Sequence, residues 1–280
     1  MVKYNHILIL IGVVSMPASY THYSFGSDVY KNLSKAMRDI IDKNRTAYNI
    51  GLNGPDILFY YKPMIKNQIK NYGNEMHYDT AYHFFKNAKN VIRKNRSDIS
   101  ISYVLGFICH FILDSNCHPY INMAMKEIEL SHETIEAELD GYLMRRNGID
   151  PKVKNAGEHV IPSWDIANNI YLFYEDVTAK QIYRCLKAVR FYNSFITCES
   201  NIKRRFMKGI LKNVKGGINL SNMIINVTPE PKCKAVVEDL INLYQKSIEE
   251  AVEIINIYYN ELFMDIEINK RFNSNFVDLY

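Results

Sequence analysis

Apolar residues recur at three- and four-residue intervals along most of the chain, and few stretches alternate as strands do. Val29, Leu33, Met37, Ile40 and Ile41 predict a first helix that starts at Thr21 or Ser24. Gly54-Pro55 then breaks the chain. A loop is expected over 71–75, followed by helices at 76–94, 98–117 and 131–146, the last capped by Ser131. After a loop at 151–162, helical spacing returns over 165–177, 179–199, 201–213 and 233–264, with Thr228-Pro229-Glu230-Pro231 as the strong breaker. The expected fold is all-α, a single-domain helical bundle.

One apolar segment is interrupted by polar residues in a regular way. His110, Asp114 and His118 follow one another at steps of four among Phe107, Ile108, Phe111, Ile112 and Leu113. Each step drifts only about 40° around a helix, so the three share one stripe. Burying such a stripe is costly unless something binds it. His132 and Glu136 repeat the four-residue step. A single buried histidine is ordinarily bonded to a carbonyl, and a single aspartate caps a turn or pairs with lysine. Five ligand-type residues in helical register point instead to a metal. Imidazole and carboxylate without an obligatory thiolate suit zinc.

Other polar residues carry two readings each. Asp140 extends the Glu136 stripe, either as an outer carboxylate orienting an imidazole or as a partner of Arg145 or Arg146. Asp56 is a helix cap or a loop carboxylate for a metal. His77 and His83 are six apart and share no face, so at most one belongs to a site, and His83 is read as a surface or packing residue. His22 alone reads as surface or packing, and His159 as a solvated loop residue. Lys203-Arg204-Arg205 is read as a solvated helix face, with contact to anionic lipid or substrate as the lesser alternative.

Composition narrows the class. The 280 residues are 48% hydrophobic and 23% charged, an ordinary globular balance. A net charge of +4 does not favour nucleic acid as partner. The five cysteines, Cys109, Cys117, Cys185, Cys198 and Cys233, are too odd and scattered for a disulfide framework, so a cytoplasmic setting is slightly favoured over secretion. The apolar run Ile7 to Val14 is too short to span a bilayer. It is read as a leader or extension over 1–15, either a signal-peptide core or a segment before a start-like Met16. Residues 16–280 would then be the domain. No repeat, phosphate-binding glycine loop or G-x-S-x-G occurs.

Five blocks in order carry a resemblance: P-A-S-Y-T-H-Y, G-P-D-I-L-F, E-M-H, H-F-I-L-D-S-N-C-H-P-Y and S-H-E-T-I-E-A-E-L-D. Over Pro17 to Arg146 the sequence resembles the bacterial zinc-dependent phospholipase C family, whose fold and zinc site are also similar to those of fungal single-strand-specific nucleases. The resemblance implies a multinuclear site of two or three zinc ions. Asp56, His77, His110 and Asp114 would hold one ion, and His118, His132 and Glu136 a second. His22, with Asp114 bridging, would contribute to a third. Asp56 would also be the general base, with a metal-bound water attacking phosphorus. Two departures stand out. No tryptophan precedes His22 to supply a terminal amine unless cleavage near Ser15 or Ala18 exposes a new one, and the step from Asp114 to His118 is short. The implied activity is phosphodiester hydrolysis of phospholipase C type, on phospholipid or another phosphodiester, with peripheral membrane contact. The alternatives are a nuclease or other phosphoesterase, which would need a basic aromatic groove, and a non-catalytic helical binding module with structural zinc, which would leave no open coordination position.

Overall fold

The structure is a computed structural model that describes residues 19–213 and 217–278; the expected leader over 1–15 and the cleavage positions Ser15 and Ala18 lie outside them. Among the described residues there are twelve α-helices and no strand. They are α1 (Ser19–Asn32), α2 (Lys35–Lys43), α3 (Arg45–Gly51), α4 (Gln68–Tyr78), α5 (Ala81–Asn95) and α6 (Asp98–Ile128). There follow α7 (His132–Arg146), α8 (Trp164–Ile170), α9 (Ala179–Ile196), α10 (Asn201–Lys212), α11 (Gly217–Asn222) and α12 (Lys234–Glu261). A 3-10 helix, Gly54–Tyr60, lies between α3 and α4.

Helix α6 is the axis of the bundle. Ser97 caps its start, and Val104, Phe107, Ile108, Phe111 and Ile112 are sealed from solvent. By length and composition it could cross a membrane, yet protein covers most of it, and α1, α3, α7 and α12 pack around it. Its contact with α3 is backbone against backbone. A Cβ on Gly106 would stand 2.2 Å from the Tyr48 carbonyl, and one on Gly51 2.1 Å from the Tyr103 carbonyl. Only glycine permits that approach.

Several expected boundaries move. Helix α6 runs past residue 117, through Pro119, to Ile128. Proline costs about 3 kcal/mol inside a helix, and burial of Ile121 and Ala124 beyond it offsets that. The expected loop at 71–75 is helical, and the chain breaks instead at Asp79 and Thr80. Asn67 caps α4 by accepting from the Lys70 amide, and Gly73, within the expected loop, packs inside α4 against Leu58. Helix α1 is already formed at Ser19, ahead of Thr21 and Ser24.

Asp140 explains that early start. Its carboxylate accepts from the amides of Tyr20 (3.3 Å) and Thr21 (2.7 Å) and from the Thr21 hydroxyl (2.6 Å). It caps the first turn of α1, where an anion is favoured. So Asp140 bonds neither an imidazole nor Arg145 or Arg146; it anchors the backbone immediately before His22. Burial pushes its pKa up to about 6 despite these donors.

Candidate metal centre

Four elements bring the expected side chains to one place beside α6. His22 comes from α1, Asp56 from the 3-10 helix, His77 from the last turn of α4, and His110, Asp114 and His118 from α6. Helix α7 adds His132 and Glu136. Two groups have ligand atoms close enough to share an ion: His22, Asp56, His110 and Asp114, and then His118, His132 and Glu136. His77 adjoins the first, its Nε2 2.9 Å from Asp56 Oδ1.

Asp114 lies between the groups. Its Oδ1 is 3.2 Å from His22 Nε2 and 3.7 Å from His118 Nε2, and its Oδ2 is 3.0 Å from His110 Nε2. Glu136 Oε1 lies 3.1 Å from His132 Nε2 and 3.5 Å from His118 Nε2. The two groups therefore form one continuous cluster, buried except at the half-buried His132.

The donor set fits zinc, and its missing hydrogen bonds argue for bound cations. His110 Nε2, Asp56 Oδ2 and Glu136 Oε2 are buried without any hydrogen-bond partner. An unpartnered buried polar atom costs roughly 1–3 kcal/mol. His110 Nε2 lies within 3.0 Å of a carboxylate oxygen and still makes no aligned hydrogen bond. Buried polar atoms left without hydrogen bonds while lying this close to other ligand-type atoms are what a metal-binding arrangement leaves when each group is oriented for an ion. The opposite ring edges of two imidazoles are also fixed, while Nδ1 of His22 and of His110 has no hydrogen-bond partner. His77 Nδ1 donates to the Gly73 carbonyl at 2.7 Å, and His118 Nδ1 to the Phe276 carbonyl at 2.9 Å. Both tautomers leave Nε2 free to coordinate.

Electrostatics follow from this crowding. Burial alone would raise Asp114, but the charges of His110, His118 and His22 hold it well below the usual carboxylate range. Burial is likewise outweighed at Glu136, which His132 and His118 bring down to about 2. Burial would lower His22, yet Asp114, with Asp56 and Glu136, lifts it to about 9. Glu136 does the same for His132, also to about 9. Without an ion, the centre holds protons where an ion would sit.

Sequence reasoning missed or misread several residues here. Gly54 has φ +49°, and a Cβ on it would stand 2.1 Å from His110 Cδ2, so its missing side chain is the room in which the imidazole sits. The Phe276 carbonyl is a backbone group that no residue pattern announces. His159 is buried, not solvated: it stacks on Tyr23, and its Nε2 accepts from Asn53 Nδ2 at 3.1 Å. Burial pushes its pKa down to about 3, so it is neutral. Arg204 is buried too, donating to the carbonyls of Cys198 and Ile225, while Lys203 and Arg205 are exposed. His83 is exposed and outside the cluster. All five cysteines are free and buried.

A pocket opens beside the second group, with Glu133, Glu136, Ala137, Asn193, Arg204 and Ile225 among its walls. Glu133 is buried in it and makes no hydrogen bond or ion pair among the described residues.

The model of a family described as zinc dependent phospholipase C matches residues 21–208, more than half of the chain. No curated protein and no solved structure matches it.

Proposed function

The chain belongs to the zinc-dependent phospholipase C family, and from that membership we propose that it hydrolyses the phosphodiester between diacylglycerol and the headgroup phosphate of a phospholipid. The observation that carries this reading is the continuity of the two ligand groups through Asp114 and His118. Adjacent metal positions are what in-line displacement at phosphorus uses.

His22, Asp56, His77, His110 and Asp114 would hold zinc on one side, and His118, His132 and Glu136 on the other. Bound zinc supplies Lewis acidity: it acidifies water and neutralises phosphoryl oxygens as charge builds in the transition state. Asp56 is the group for the proton. Its Oδ1 lies 2.9 Å from His77 Nε2, on the ligand side, while Oδ2 is buried without a hydrogen bond and would orient the attacking water and take its proton. Glu133 and Asn193, on the pocket walls, would face the substrate beyond the phosphate.

The test is zinc analysis of the purified protein with a hydrolysis panel of phosphatidylcholine, other phospholipids, single-stranded DNA and a soluble aryl phosphodiester. Release of diacylglycerol, lost on chelation and restored by zinc, is expected. Cleavage of DNA with intact phospholipid would replace the phospholipase reading by the nuclease one. Bound zinc with no hydrolysis of any substrate would leave a structural metal site.

A further inference from the structure

Helix α10, N-I-K-R-R-F-M-K-G-I-L-K, has two apolar stripes. Met207 and Leu211 lie with Arg204 on the buried one. The Arg204 guanidinium bonds the Cys198 and Ile225 carbonyls and fastens this side to the protein. Ile202, Phe206 and Ile210 form the other stripe, four residues apart, and all three are exposed; Ile202 is 83% and Phe206 67% accessible. Lys203 lies on one side of that outer stripe, and Arg205 and Lys212 on the other, by helical register, while Lys208 turns inward and donates to Asn226 Oδ1. The helix carries no acidic residue.

Water alone does not favour such a face. Apolar side chains ringed by lysine and arginine are the composition of a helix lying in a lipid–water interface. The charge is concentrated here: residues 187–212 hold seven lysines and arginines against the single acid Glu199, in a chain whose net charge is only +4. The position is also telling. Arg204 of α10 and Asn193, Ile196 and Thr197 at the end of α9 line the same pocket as Glu136. Phe191 and Phe195, on that last part of α9, are exposed as well.

We infer that the outer face of α10, with the adjoining turns of α9, is a docking surface for an anionic lipid bilayer, seating the pocket mouth against the membrane. This rests on the phospholipid reading of the pocket. Ile202 and Phe206 enter the interface while Lys203 and Arg205 meet the negative surface potential.

The experiment separates docking from hydrolysis. Zinc-loaded full chain is sedimented with vesicles of phosphatidylcholine, with and without phosphatidic acid, and turnover is measured in parallel on a soluble aryl phosphodiester. Binding to the acid-containing vesicles, weakened by salt, is expected. Ile202→Ser with Phe206→Ser weakens partitioning on the order of tenfold or more. Lys203→Ser with Arg205→Ser does so by about tenfold or more and flattens the salt dependence. Met264→Ser, at another exposed apolar site, changes nothing. Soluble-diester turnover stays at the wild-type level in all three. Unchanged partitioning in both double variants, or no binding by the wild type at low salt, overturns the docking surface. So does a dimer that the Ile202/Phe206 pair converts to monomer with vesicle binding intact, because the face would then join two copies. Vesicle binding without any diester hydrolysis would sink the enzymatic reading and leave the docking surface standing; hydrolysis of the soluble diester without vesicle binding would do the reverse.

Discussion

Gly54→Ala isolates the steric basis of the centre, because a second glycine serves as its control. Both Gly54 (φ +49°) and Gly148 (φ +72°) adopt left-handed backbone. Alanine there costs roughly 1–2 kcal/mol in backbone strain, partly offset by about 0.4–1 kcal/mol from a stiffer unfolded chain. Around Gly148 a new Cβ meets nothing within 4 Å, so Gly148→Ala should lose about 1 kcal/mol or less. At Gly54 the Cβ would stand 2.1 Å from Cδ2, 2.5 Å from Cγ and 2.6 Å from Nε2 of His110. That ring is wholly buried, stacked on His22 at 4.5 Å and packed against Phe276. Overpacking of this kind adds about 1–3 kcal/mol. The larger effect falls on the metal. Relieving the contact moves Nε2 by roughly 1 Å, several times the ~0.2 Å tolerance of a ligand bond. Zinc affinity should drop at least 10- to 100-fold, the cost of disturbing a ligand's orientation. Zinc titration with a competing chelator and thermal unfolding with and without zinc would read both effects. If Gly54→Ala binds zinc and melts as Gly148→Ala does, the centre does not depend on His110 at its present position.

Asp56→Asn should retain most zinc while turnover falls by roughly 10²–10⁴, the usual contribution of a general base; undiminished turnover would remove Asp56 from the reaction. Glu136→Ala should lose zinc and stability together, since ligation and folding are linked, and normal zinc content by elemental analysis would contradict its place in the site. The protonated centre predicts a pH effect with a defined sign. His22 and His132 are raised from 6.5 to about 9 without metal, so their stabilisation of the metal-free protein is full below 6.5 and lost as pH rises through 9. Zinc requires both neutral, so the stability gained on adding zinc should grow across the same window, with roughly two protons released per chain at pH 7 in calorimetry; absence of proton release would refute the arrangement.

The helical fold was readable because its period is written in side chains. The stripes through His110, Asp114 and His118 and through His132 and Glu136 needed only the geometry of a helix, and the structure sets those two stripes side by side. What could not be read depends on partners distant in sequence. His159 and Arg204 look like solvated residues until Asn53 and the Ile225 carbonyl are brought to them. Residues 71–75 look like a loop until Leu58 packs on Gly73. Asp140 reads as an extension of the Glu136 stripe because the amides it caps lie on α1, 120 and 119 residues earlier.

The carbonyl of Phe276 also ties the cluster to a distant stretch of chain. His118 takes its bonded tautomer from that carbonyl, and the Phe276 amide in turn donates to the His77 carbonyl at 3.1 Å. Helices α1 to α7 leave the ribosome long before residue 276 does. One imidazole of the cluster would therefore stay unoriented, and metal capture there would stay weak, until the segment around residue 276 has been made and folded back.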